Sequence, residues 1–81
     1  MFINKTPDGR NNLCGKEISR RRLEQGLSQR ALADRMQLLG LDLDKNAVQR
    51  IESGQRFVTD IELLAFARFF AVPMEALFPR A

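Results

Sequence analysis

The chain has 81 residues, 44% of them hydrophobic, with thirteen Lys and Arg against ten Asp and Glu and a net charge of +3. That length holds one small domain with a modest core, and the positive balance fits an anionic partner. There is no His, Trp or Tyr, and Cys14 stands alone, which excludes an intrachain disulfide, most transition-metal sites and the usual Ser–His and Cys–His nucleophiles.

An enzyme would have to work with carboxylates and lysines in a domain too small for a deep cleft, so no catalysis, cofactor or metal is expected. The first residues lack the apolar core of a signal peptide. The longest apolar stretch, residues 63–72, is interrupted by Arg68 and too short for a membrane span. A cytoplasmic setting and no membrane partner are the expectation.

The charge is unevenly spread. Residues 1–35 carry eight basic and four acidic side chains, residues 36–60 three and four, and residues 61–81 two of each. One end is electropositive and the other neutral and apolar, as a nucleic-acid-binding dimer requires.

Residues 1–11 are polar and contain the turn signal Thr6-Pro7-Asp8-Gly9. They are expected to form a flexible arm, with Phe2 and Ile3 free to tuck onto the body. A first helix is expected over residues 13–25, capped by Asn12 and stopped by Gly26. Its sparse apolar residues are Leu13, Cys14, Ile18 and Leu23, with Lys16, Arg20, Arg21 and Arg22 on the remaining surface.

The second helix starts from the N-cap Ser28 and runs to residue 39, with Leu32, Ala33 and Met36 on one stripe and Gly40 as the stop. The third follows the cap Asp44 over residues 45–53, ahead of Gly54. Val48 and Ile51 face inward, and Lys45, Asn46, Gln49 and Arg50 face outward. The fourth opens on a capping box, Thr59 and Glu62. Leu63, Phe66, Ala67 and Phe70 form its core stripe, while Ile61, Leu64 and Phe69 leave a second apolar face. Pro73 opens a short fifth helix with Met74 and Leu77 buried, and Pro79 ends it. The fold class expected for residues 12–81 is therefore all-α, with five helices.

The segments Gly26-Leu27-Ser28-Gln29, Leu32-Ala33, and Val48-Gln49-Arg50-Ile51-Glu52-Ser53-Gly54 resemble the lambdoid phage repressor and Cro family, the xenobiotic-response-element type of helix-turn-helix. The tail, from Leu63-Leu64-Ala65-Phe66-Ala67 to Val72-Pro73-Met74-Glu75-Ala76-Leu77-Phe78, resembles that family's helices 4 and 5. The resemblance implies a lambda-repressor-like DNA-binding domain whose third helix enters the major groove. One departure stands out: the connection between Met36 and Asp44 is longer than the family's tight turn.

The side-chain chemistry points the same way. Asn pairs with adenine, and Arg and Lys with guanine, on major-groove edges. The resemblance places Lys45, Asn46 and Arg50 at base-contacting positions, with Gln49 ranked behind them. Ser28 and Gln29 open the second helix, where free N–H groups and the helix dipole favour a phosphate. Ser53, Gln55 and Arg56 follow the third helix, in a loop that grips phosphates in the family. Arg22 and Glu52 match a family ion pair that links the first helix to the end of the third. Arg20 and Arg21 read as a solvated charge run.

The expected function is a sequence-specific regulator of transcription on double-stranded DNA, a repressor, acting as a homodimer on half-sites roughly 34 Å apart. Phe57, Val58, Leu64, Phe69, Leu77 and Phe78 are the expected dimer interface. The rival reading is an antitoxin or controller whose main partner is another protein held by helices 4 and 5. The carboxylates Asp42 and Asp44 lack the supporting groups of a catalytic pair. RNA binding lacks a Tyr or Trp platform for stacked bases.

Overall fold

The computed structural model describes residues 4–79, and Phe2 and Ile3 lie outside them. These residues contain four α-helices and no strand: α1 Gly15–Glu24, α2 Gln29–Leu38, α3 Lys45–Ser53 and α4 Asp60–Phe70. The expected fifth helix is a single 3-10 turn, Met74–Leu77. Pro73 starts it and Pro79 follows it too closely for a longer helix.

The caps are local chemistry. Ser28 Oγ accepts from the Ala31 N–H, Asp44 Oδ1 from the Ala47 N–H, and Thr59 and Glu62 form the reciprocal box. All four helices end on one pattern, in which a left-handed residue turns the chain and two amides close back on the last turn. Gly26 and Leu27 donate to Leu23 and Arg22, and Gly40 and Leu41 to Gln37 and Met36. Gly54 and Gln55 donate to Ile51 and Arg50, and Ala71 and Val72 to Arg68 and Ala67. Three glycines take the positive φ without strain. Ala71, at φ 58°, takes it with a Cβ.

Ile18, Leu32, Met36, Leu43, Val48, Ile51, Phe66 and Leu77 are fully enclosed and form the centre of the core. Helix α3 packs on both α1 and α2. Three findings sharpen the sequence reading here. Leu13 and Leu23 face solvent, because α1 buries only the narrow stripe of Cys14, Gly15 and Ile18. The lengthened connection is a loop, not extra helix: Leu43 plugs the core, Leu41 lies against it, and Gln37 Nε2 donates to the Leu43 carbonyl at 3.0 Å. Leu77 is 0% exposed, as expected of a buried residue of the fifth helix and contrary to its place at a dimer interface. The 3-10 turn after Pro73 packs against α1 and α4 and seals it inside.

Candidate nucleic-acid interface

The outward face of α3 carries Lys45, Asn46, Gln49, Arg50 and Ser53, all exposed. Its inner face, Ala47, Val48 and Ile51, is buried. Asn46, Gln49, Arg50 and Ser53 line a shallow concavity with Gln55. Lys45 and Arg50 form no ion pair among the described residues. Their charges are therefore uncommitted, whereas Arg20 and Arg21 on α1 are paired with Glu17 and, for Arg20, also Glu24.

The other side of α3 is fixed to the body through Glu52. Arg22 Nε donates to Glu52 Oε2 at 2.7 Å and Arg22 Nη2 to Oε1 at 3.0 Å. The fork also reaches the Leu27 carbonyl at 2.7 Å, which pins the α1–α2 turn. Gln29 Nε2 gives Glu52 a third donor at 3.1 Å. Both charged side chains are nearly enclosed, 11% and 7% exposed. One carboxylate thus ties together α1, the start of α2 and the end of α3.

The phosphate-side residues have prior commitments. Ser28 is the cap of α2. Gln29 spends its amide on Glu52, and of the first-turn N–H groups of α2 the one at Ala31 is taken by Ser28, which leaves those of Gln29 and Arg30 without a partner in the helix. Ser53 Oγ donates back to the Arg50 carbonyl at 3.2 Å. Arg56 forms a fork with Glu62 at 3.0 and 3.1 Å and donates to the Phe57 carbonyl. Burial pushes the Glu62 carboxyl up. The Arg56 and Thr59 hydrogen bonds together outweigh it and hold the group below its usual range. The Glu62 hydrogen bond raises Arg56 in turn.

Sequence reasoning missed Arg10 and Asn11, in the segment expected to be an arm, and the reach of Asn12 beyond its expected role as a helix cap. The turn in that segment forms, with Gly9 at φ 82° and the Gly9 N–H bonded to the Thr6 carbonyl. The following residues cross to the end of α3, whose last carbonyls have no partner within the helix. Arg10 Nη2 donates to the Glu52 carbonyl at 2.7 Å, and the Asn11 N–H to Gly54 at 2.7 Å. Asn11 Nδ2 donates to Gln55 at 2.9 Å. Asn12 Nδ2 donates to Ile51 at 2.9 Å and Arg56 at 2.8 Å, while its Oδ1 accepts from the Gly15 N–H. Gly15 makes the approach possible, since a Cβ there would lie 2.1 Å from the Ile51 carbonyl oxygen. A glycine just inside a helix start was the one visible sign of this contact.

A helix-turn-helix family model matches residues 18–77. The chain belongs to the helix-turn-helix family. The match spans the α2–α3 pair, the Arg22–Glu52 tie and the buried Leu77. It makes this domain a DNA-binding regulator by class. No curated protein and no solved structure matches the chain. No helix among the described residues is long and apolar enough to cross a membrane. The domain's thiol, Cys14, is buried, and desolvation pushes its pKa up to about 11, so it stays protonated and unreactive near neutral pH.

Proposed function

We propose that this helix-turn-helix domain is a sequence-specific transcriptional repressor of the lambdoid repressor and Cro type, working in the cytoplasm as a homodimer on a two-fold symmetric duplex site. The observation that carries this reading is the division of α3 into two faces. One is locked to the body by Glu52 and the residue 10–12 segment, and the other presents two amides and two cations that form no ion pair among the described residues. A helix held rigidly with polar tips outward is what major-groove readout needs.

In this reading Lys45, Asn46 and Arg50 contact base edges, with Gln49 beside them. The first-turn amides at Ser28 and Gln29, Ser53 at the end of α3 and Gln55 beyond it contact phosphates. Arg56 sits at the same edge with part of its charge answered by Glu62, so its main work is to hold the α3–α4 loop in place.

Selection from random duplexes about three helical turns long, at near-physiological salt, tests the reading. Enrichment of a two-fold symmetric site is expected. No enrichment from folded protein would overturn it and favour the rival, a module whose main partner is another protein.

A further inference from the structure

We propose that a second copy of this chain docks on the outer face of α4 together with the leucines of the α2–α3 connection. The inference rests on the homodimer reading above and gives it a surface. Ile61 is 69% exposed, and Leu39 and Leu64 are exposed with it. Leu39, Leu41, Ile61, Leu64, Ala65 and Arg68 line one groove of about 190 Å³ between the connection and α4. Because Leu41 and Leu43 are anchored inward, the loop holds Leu39 outward in a fixed place. The lengthened connection therefore builds one wall of an apolar surface. None of these residues lies on the outward face of α3.

The occupant is set by the charge pattern. Asp60, Leu64 and Arg68 are all exposed and follow one another at i, i+4 and i+8, a single row along the helix. Each step is about 6 Å, so the acid and the base lie at equal distances on either side of Leu64. Neither Asp60 nor Arg68 forms an ion pair among the described residues. A two-fold axis through Leu64 lays a second α4 antiparallel to the first. Leucine then meets leucine, and Asp60 meets Arg68 of the other copy twice. Ile61 of each copy reaches the groove of the other. A parallel arrangement would set like charges together. The row is self-complementary, the requirement of an isologous interface.

Charge reversal with exchange tests the arrangement, without DNA, by sedimentation over a wide concentration range. The wild-type chain is expected to form a dimer. Asp60→Lys and Arg68→Glu are each expected to weaken dimerisation at least tenfold, and a 1:1 mixture of the two to restore it as a heterodimer. Leu39→Ser and Ile61→Glu should weaken it without changing helicity, and they carry the test if Asp60→Lys does not fold. A wild-type monomer at all concentrations, dimers unaffected by either reversal, or variants not rescued on mixing would overturn the proposal. Duplex selection is scored separately, so a chain that reads DNA without this interface, or dimerises without reading DNA, is recognised as such.

Discussion

Asn12 reaches across the fold to donate its side-chain amide to the carbonyl of Ile51, in the last full turn of α3, at 2.9 Å. The same amide serves the Arg56 carbonyl, and the oxygen of the side chain holds the first N–H of α1. One buried side chain therefore completes the end of one helix and the start of another. Asn12→Ala takes one of two donors from the Ile51 carbonyl, leaves the Arg56 carbonyl and the Gly15 N–H without this partner, and should cost about 2–3 kcal/mol. Urea unfolding measures the loss. Amide exchange should show faster opening at Ile51 and Glu52 than at Leu32.

Gly15→Ala reverses the usual helix rule. Replacing a helical glycine with alanine normally stabilises by roughly 0.5–1 kcal/mol. Here the new Cβ would meet the Ile51 carbonyl at 2.1 Å, a backbone atom that moves only if α3 moves. The expected result is a net loss of about 1–3 kcal/mol, read as a lower melting temperature. A rise would mean that α1 and α3 do not approach this closely.

Glu52→Ala strands Arg22 in a nearly closed site. Breaking such a pair by removing one partner costs about 3–5 kcal/mol. Chemical denaturation gives the value. The double replacement of Arg22 and Glu52 by apolar residues should recover a substantial part of it, because the cost comes from the lone charge.

Acid should loosen the α3–α4 loop through Glu62. Its folded-state pKa lies below the ordinary value. The stabilisation is therefore complete above the unfolded glutamate pKa, about 4.3, and fades as pH falls through the lower folded value. Glu62→Gln should flatten the acid limb of the stability–pH curve and leave the region above pH 6 level. An unchanged acid limb would place the linkage on other carboxylates.

Arg50→Ala should cost about 1–3 kcal/mol on the selected site and relax one base pair in each half-site. Arg56→Ala should lower stability by releasing Glu62 and change the discrimination between sites little. Fluorescence anisotropy on matched and single-substituted duplexes separates the two. Loss of discrimination at Arg56 with none at Arg50 would reverse the assignment.

The helices were legible because their signals are local. Ser28, Asp44 and Thr59 cap where their side chains reach the next turn, and Gly26, Gly40 and Gly54 end helices where φ must be positive. The faces of α3 followed from the spacing of Val48 and Ile51. What stayed hidden depends on partners far along the chain. Nothing near Arg10 or Asn11 announces the carbonyls of Glu52 and Gln55. The sequence offered Leu77 both as a buried residue of the fifth helix and as an interface residue, and only the packing of the turn after Pro73 decides for the first. The Arg56 fork to Glu62 was concealed for another reason, because the capping box already accounted for that glutamate.

The hydrogen bonds from Arg10, Asn11 and Asn12 join residues 39 to 44 positions apart. Contacts of that span form only after a long loop has closed, and closing it costs entropy before any bond is made. On a ribosome the first dozen residues must wait until Arg56 has emerged before they find their partners. The final turn of α3 is thus among the last parts of the domain to set. A nascent chain halted within α3 would lack the carbonyls that Arg10, Asn11 and Asn12 meet.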